Sequence, residues 1–433
     1  MTLIADTIFA PATVPGRSAV AVLRLSGPGT AAVLEALGGP LPVPRRLSLR
    51  RLIHPRDGTL LDQALVAWLP GPASYTGEDS AELHLHGGPA VRAAVLAVLA
   101  ALPGLRAAEP GEFSRRAFIN GRLDLTAVEG LADLIDAETE AQRRQALRQL
   151  EGGLRKRIED WRDRLLDALS RIEAMLDFSD EDGIDLRSLR DEAATSADSV
   201  AAEIEGLLAQ GTRGERLREG FRVVLAGAPN AGKSTLLNAL ARRDVAIVSD
   251  VPGTTRDAIE VRLDLDGLPV WLVDTAGLRE TDDPVEREGV IRSRRTAFEA
   301  DLVLWLLAPG LKAGEPPPGR VLRVWTKSDL GPMAHADLSV SSLTGAGIDA
   351  LLRALSARAA EGVGTGDALL TRARHAEALR HAHAALHRRH ADVADELFAE
   401  DLRTALHALG EIVGRVGVDA MLDRLFAGFC IGK

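Results

Sequence analysis

Gly227-Ala-Pro-Asn-Ala-Gly232-Lys233-Ser234 sets two glycines, a lysine and a hydroxyl in the order that grips phosphate. Glycines let backbone N–H groups converge on phosphate oxygens, and a helix start adds the positive end of its dipole. The spacing assigns Asn230, Ala231, Gly232, Lys233, Ser234 and Thr235 to a nucleoside triphosphate. Lys233 reaches the β- and γ-phosphates, and the Ser234 hydroxyl ligates Mg²⁺. The competing reading of such a run, a plain glycine-rich turn, is weakened by the strand-like Arg222–Ala226 before it and the helical Ser234–Leu240 after it.

Three further runs complete the constellation. Asp274-Thr275-Ala276-Gly277 follows the apolar Val270–Val273. There Asp274 holds Mg²⁺ through water, and the Gly277 N–H senses the γ-phosphate. Thr326-Lys327-Ser328-Asp329 follows Val321–Trp325. Its Asp329 can accept from the N1–H and 2-amino group of guanine, a donor pair that adenine lacks, so the expected nucleotide is GTP. Thr326 stands where this motif usually carries Asn, which removes one amide contact. Ser341-Ser342-Leu343 lies where a last base-contacting loop belongs.

Hydrolysis needs an oriented water. Ras-like enzymes use a Gln just after Asp-x-x-Gly, and here that position is Leu278, which cannot orient water. Either the protein is a slow switch or another residue acts. One candidate is Glu286, whose other reading is a solvated surface charge. The second is Asn230, whose amide oxygen can coordinate a monovalent cation beside the phosphates, where charge builds in the transition state. Its other reading is capping of the loop. In Val251-Pro-Gly-Thr254-Thr255-Arg-Asp257 one threonine must ligate Mg²⁺ in the triphosphate state, and the preceding backbone can wrap a cation.

The elements that position these residues follow from apolar spacing. Up to about Asn120, short β-like runs such as Val20–Leu25 and Ala64–Leu69 mix with Gly/Pro turns and a helical Pro89–Leu102. From Gly121 to Glu215 the pattern is helical. Leu147, Leu150, Leu154, Ile158, Trp161, Leu165, Leu169, Ile172 and Leu176 step by three or four, predicting one long amphipathic helix. The acidic Asp177–Gly183 breaks it, and a second helix ends near Gly211–Gly214. From residue 216 to 365, strands alternate with helices, implying a parallel sheet covered on both faces, with Leu302–Leu307 as a further strand. Residues 366–433 return to helix. The expected architecture is multidomain α/β plus α: an N-terminal α/β domain over 1–120, and a Ras-like P-loop domain over 216–365 inserted between two parts, 121–215 and 366–433, of a helical domain.

Composition bounds the partners. The 433 residues carry a formal net charge of −10, so contact with nucleic acid needs a local basic patch or a partner. Arg45–Arg51 and the His-rich Arg374–His390 are the basic stretches that could touch nucleic acid. His383 and His387 have metal-ligand spacing, but no acidic or third ligand follows with motif spacing, so a solvated basic face is the expected reading. One cysteine, Cys430, cannot form an intrachain disulfide, which fits a reducing compartment. No basic start precedes an apolar run at the N-terminus, and no stretch approaches about 18 apolar residues. A soluble, cytoplasmic protein without membrane association is expected.

The chain resembles the MnmE (TrmE) tRNA-modification GTPases. Gly227-Ala-Pro-Asn-Ala-Gly-Lys-Ser, Gly253-Thr-Thr-Arg-Asp and Asp274-Thr-Ala-Gly-Leu-Arg-Glu look like that family's G domain. Asp6-Thr-Ile-Phe-Ala-Pro-Ala-Thr-Val-Pro-Gly-Arg, Thr76-Gly-Glu-Asp, His86-Gly-Gly, Pro110-Gly-Glu-Phe-Ser, Arg122-Leu-Asp-Leu and the terminal Phe429-Cys-Ile-Gly-Lys433 extend the likeness over the whole chain. The resemblance implies GTP hydrolysis within a complex that adds a carboxymethylaminomethyl or aminomethyl group at C5 of the wobble uridine, U34, of certain tRNAs. The one-carbon unit would come from a tetrahydrofolate derivative, in its 5-formyl or 5,10-methylene form. An FAD-containing MnmG-type partner would join a homodimer in a heterotetramer or larger complex. By motif match, Mg²⁺ ligands are Ser234 and Thr255. K⁺ ligands are Asn230 and the backbone oxygens of Ser249, Val251 and Thr254, and the catalytic residue is Glu286. Folate contacts transfer to Arg24, Glu82, Arg122 and Lys433, with Arg122 where a Lys is usual. Cys430 remains a nucleophile, a prenylation site with an unsuitable Cys-Ile-Gly-Lys context, or a packed thiol near the folate. The competing functional reading is a regulatory or ribosome-assembly GTPase switch without modification chemistry.

Overall fold

The computed structural model describes residues 6–177, 186–247, 260–274, 300–312, 314–316, 319–332, 335–364, 368–387, 393–415, 419–429 and 431–432. The chain divides into two compact units, Met1–Ala132 with Gly410–Lys433, and Asp133–Leu409.

The first unit is built on a six-stranded sheet. Its strands are β1 (Thr7–Pro11), β2 (Val20–Ser26), β3 (Ser48–Ile53), β4 (Leu60–Leu69), β5 (Ser80–His86) and β6 (Leu105–Ala107), in the order β3-β4-β5-β2-β1-β6. All neighbours are antiparallel except β1 and β6. Alternation sorts the faces. Along β2, Ala21, Leu23 and Leu25 are buried with Leu83 and Leu85 of β5. They pack under Val33, Leu34 and Leu37 of α1 (Thr30–Gly38) and Val95, Val98 and Leu99 of α2 (Pro89–Ala101). The intervening residues, Val22 and Arg24 among them, face the other side. Helices α3 (Glu112–Ile119) and α4 (Leu125–Asp136) follow. Leu125 and Val128 pack with Leu422, Phe426 and Phe429, which brings the chain's end back to this unit.

The second unit holds a helical part and a second six-stranded sheet. Helices α5 (Glu140–Leu150), α6 (Gly153–Asp177), α7 (Leu186–Leu208) and α8 (Arg213–Glu219) precede the sheet. The stripe from Leu147 to Leu176 does not lie on one helix. Gly152 takes φ 82 and ends the run, so α5 and α6 are separate. On α5 the buried side is Gln142, Gln145, Ala146 and Gln149, and the leucines are only half-buried. Gln142 donates to the Arg218 carbonyl at 3.1 Å and Gln145 to that of Gly214 at 3.3 Å, so buried amides replace the expected leucine seam. Similarly, α7 stops at Leu208 and a separate α8 takes up the Gly214 region.

The second sheet comprises β7 (Phe221–Gly227), β8 (Glu260–Leu265), β9 (Leu268–Asp274), β10 (Leu302–Leu307), β11 (Val321–Trp325) and β12 (Leu338–Ser339), ordered β12-β11-β10-β7-β9-β8. It is parallel except at one edge, where β8 runs antiparallel to β9. The all-parallel expectation fails there because Asp266-Gly267, both at positive φ, makes a tight hairpin with no room for a crossover helix. Central β7 is buried on both faces through Val223, Val224 and Leu225, which is why it reads as a continuous apolar run. Helices α9 (Lys233–Ala241) and α10 (Ile348–Val363) close this core through Leu236, Leu237, Leu240, Leu351 and Leu355. After it come α11 (Ala373–Leu386), α12 (Asp395–Val413) and α13 (Asp419–Ala427), so the chain is multidomain α/β plus α. No described helix is long and apolar enough to cross a membrane.

Candidate functional site

The phosphate loop joins the C-terminal end of β7 to the first turn of α9, the position where open α/β sheets bind ligands. Its backbone requires these residues. Gly227 has φ 148, and a Cβ there would lie 2.5 Å from the Leu306 carbonyl oxygen of neighbouring β10. Gly232 caps α9 in the left-handed region at φ 91. Asn230 sits at φ 63, a conformation Asn accepts better than most residues, with its side chain exposed.

Lys233 curls over the loop and its Nζ donates to the carbonyls of Gly227 at 3.0 Å and Ala228 at 3.1 Å. Burial holds this ammonium below the usual lysine pKa, opposed by the charge of Asp274. A partly desolvated cation above converging N–H groups suits an anion of high charge. Directly after it, the Ser234 hydroxyl donates to Asp274 Oδ2 at 2.8 Å. Asp274 is buried at the end of β9, the strand beside β7. One hydroxyl and one carboxylate at this distance form the hard oxygen donor set that Mg²⁺ takes when phosphates supply the rest.

The residues expected to meet the base lie in the loops after β11 and β12. Asp329 is exposed, and the buried Ser341 hydroxyl donates to its Oδ1. That bond holds one carboxylate oxygen. Ser341 is itself fixed, because its N–H donates to Ala346 and its oxygen Oγ accepts from the Thr344 N–H. Lys327 adopts φ 52, and Ser342 is half-buried. Thr326 makes a contact of its own. Its buried hydroxyl donates to the Ala231 carbonyl at 2.6 Å, with the Leu307 carbonyl 3.0 Å away. The hydroxyl therefore ties the base loop to the phosphate loop, a role that reading Thr only as a missing amide overlooked. Thr235 is exposed on the first turn of α9.

Ser249, Val251, Thr254, Thr255, Thr275, Ala276, Gly277, Leu278, Glu286, Cys430 and Lys433 lie outside the described residues. The expected K⁺ ligands other than Asn230, one expected Mg²⁺ ligand and the glutamate expected to orient water are among them.

In the first unit, sheet register pairs Arg24 on β2 directly with Glu82 on β5. The guanidinium donates to Glu82 Oε1 from Nε at 3.3 Å and Nη2 at 3.1 Å, and from Nη1 to the Gly432 carbonyl at 3.5 Å. Gly432 fits there because its Cα lies against the Pro11 carbonyl, where any Cβ would clash. The Arg24 guanidinium also lies 5.3 Å from the Tyr75 ring centroid and 5.8 Å from that of Phe113. These two aromatics were not singled out from the sequence, since nothing local marks them. Arg122 is exposed, and its aliphatic stem packs beside Gly77 in the Thr76–Asp79 segment. A buried network supports that segment: Ser26 donates to Glu78, and the fully buried Arg116 pairs with Glu78, Glu112 and Asp6. At the end of α11 the rings of His383 and the capping His387 stack at 5.0 Å.

The sheet order, the strand–loop–helix phosphate grip and the Asp329 loop together define a P-loop guanine-nucleotide-binding protein. Family models place the chain more narrowly. Residues 125–430 match the MnmE helical domain, and residues 7–122 match the N-terminus of the GTP-binding protein TrmE. The chain is 63% identical over 437 residues to a "tRNA modification GTPase MnmE" of Methylobacterium sp. (strain 4-46), covering 99% of this chain and 100% of the relative. It is 52% identical over 458 residues to the protein of that name in Rhodospirillum rubrum, covering 99% of both. Solved structures with some likeness include the G domain of the T. maritima FeoB iron transporter, at 22% identity and TM-score 0.24, covering 32% of this chain and 98% of that one. Another is Era of Aquifex aeolicus bound to GDP·AlF4−, at 24% identity and TM-score 0.27, covering 38% and 66%. The chain belongs to the MnmE family and is a GTPase.

Proposed function

We propose that this chain hydrolyses GTP to drive modification at C5 of the wobble uridine of tRNA, acting as a homodimer with an FAD-containing partner and a tetrahydrofolate one-carbon donor. The observation that carries the nucleotide part is the Ser234–Asp274 hydrogen bond beneath a lysine already turned onto the loop carbonyls. Lys233 and the loop N–H groups hold the β- and γ-phosphates. Ser234, Thr255 and Asp274 hold Mg²⁺, which supplies positive charge to the phosphate oxygens. Asp329, steadied by Ser341, selects guanine. Glu286 orients the attacking water, since Leu278 cannot. Asn230, with the backbone of Ser249, Val251 and Thr254, holds K⁺ where other GTPases place an arginine finger.

The folate part rests on Arg24 and Glu82, which register brings together beside Gly432. Glu82 suits the amino and N–H edge of a pterin, and Arg24, Arg122 and Lys433 suit carboxylates or a carbonyl. The homodimer reading is supported by the exposed pair Leu49 and Leu65, opposite each other on β3 and β4, which leaves apolar surface on the open sheet face. Family membership supports the tRNA target and a cytoplasmic site of action.

The decisive experiment is the GTP turnover rate in K⁺ against Na⁺, with and without the flavoprotein partner. Faster turnover in K⁺ is expected. Equal rates in both cations would remove the cation from the mechanism.

A further inference from the structure

The open face of β5 carries Glu82, His84 and His86 at the two-residue period of a strand. Glu82 and its pairing with Arg24 belong to the site already described, but His84 has no part in it. The His84 Nε2 lies 3.3 Å from Glu82 Oε2, the carboxylate oxygen that Arg24 does not touch. Both donating nitrogens of Arg24 converge on Oε1 instead. That asymmetry matters. A guanidinium bound to one oxygen leaves the carboxylate free to turn about its last torsion, which is broad for glutamate. A second donor on the other oxygen removes that freedom. Register puts Val22 of β2 and Leu65 of β4 on either side of His84, so its lateral neighbours offer no side-chain acceptor. The next residue on the same face, His86, is held by buried Asp62, whose oxygens accept from the His86 N–H at 2.8 Å and contact its Nδ1 at 2.7 Å.

We propose that His84 is a positioning residue for ligand recognition by Glu82: it fixes the plane of the carboxylate so that the lone pair left on Oε2 meets a donor on the flat edge of the ligand. The inference rests on the reading of Glu82 as the group that takes the pterin amino and N–H edge. A carboxylate that Arg24 already grips can only accept, so the proton sits on Nε2. Arg24 alone would supply charge, and His84 supplies orientation. The prediction is therefore a loss of affinity without loss of the Arg24–Glu82 pair.

Calorimetric titration of the full-length chain with 5-formyltetrahydrofolate tests this. His84→Leu should bind about tenfold more weakly or worse. His84→Gln, which keeps a donor at similar reach, should recover most of the affinity, a rescue that a merely space-filling role would not give. With Glu82→Gln as background, His84→Leu should cost little more. His84→Asn, polar but too short to reach, should behave like His84→Leu and serves if the leucine variant does not fold. Equal binding by wild type, His84→Leu and His84→Asn would overturn the positioning role, as would an undiminished loss in the Glu82→Gln background. Wild-type protein that fails to bind at millimolar ligand would instead overturn the folate reading, and the inference with it.

Discussion

The Thr326 hydroxyl lies 2.6 Å from the Ala231 carbonyl, bridging two loops 95 residues apart in sequence. In the proposed site one loop takes the phosphates and the other the base, so this bond would set their separation. Thr326→Val keeps the shape and removes the donor. It leaves a buried carbonyl short of a partner, at a cost of roughly 1–3 kcal/mol. Guanine-nucleotide affinity, followed by titration with a fluorescent GDP, should fall about tenfold, and Thr326→Ser should stay near wild type. Unchanged affinity in the valine variant would show that the bond does not organise the site.

Asp329 has one oxygen held by Ser341 and is otherwise exposed. Asp329→Asn replaces one acceptor with a donor that opposes the N1–H and 2-amino group of guanine. The ratio of GTP to ATP affinity should drop by about tenfold or more. Competition of ATP against bound GDP measures it, and an unaltered ratio would take base selection away from Asp329.

Glu286→Ala should lower kcat roughly a hundredfold or more while GTP affinity stays within a few fold. Single-turnover hydrolysis alongside nucleotide titration separates the two effects. Normal turnover would return Glu286 to the surface-charge reading.

The Arg116 network gives the first unit an acid-sensitive element. Burial raises the pKa of Glu112, but hydrogen bonds from Arg106, the Glu109 N–H and Arg116 outweigh it, and the net shift is below the usual 4.5. Asp6 is lowered likewise, burial again opposed by Arg106 and Arg116. A carboxylate whose pKa is lower folded than unfolded adds stability that is complete above its unfolded value. That stability is lost as pH falls from there through the folded value. The Tm difference between wild type and Glu112→Gln should thus be constant near neutrality and shrink below about pH 4.5. A difference that does not narrow in acid would contradict the linkage.

The legible parts of the fold were those whose signal is local. The apolar runs at Leu302–Leu307 and Val321–Trp325 became strands with those bounds, the first because a strand buried on both faces needs no alternation, the second because Leu322 and Val324 alternate with exposed Arg323. Strand β8 alternates Glu260, Arg262 and Asp264 with apolar residues and joins β9 through Asp266-Gly267, a local hairpin signal that a reading of continuous apolar runs does not use. Its Arg262 stacks 4.5 Å from the ring centroid of Trp271, its partner across the hairpin, and pairs at 2.6 Å with Glu138, a distant residue that no spacing rule reveals. On α5, glutamines fill the buried side, so a search for leucines had no reason to end the helix at Gly152.

By itself, the sequence determined that a phosphate-loop motif, an Asp-x-x-Gly motif and a Thr-Lys-Ser-Asp motif follow one another after strands. Those features depend on backbone geometry within a few residues, and glycine, lysine and hydroxyl spacing encodes that directly. Only the tertiary structure decided which side chains meet. Ser234 finds Asp274 because β9 lies beside β7, Thr326 reaches Ala231 across the strand ends, and Arg24 faces Glu82 through antiparallel register. Such meetings are set by sheet order and register, which arise from packing the whole unit and leave no mark at either residue alone.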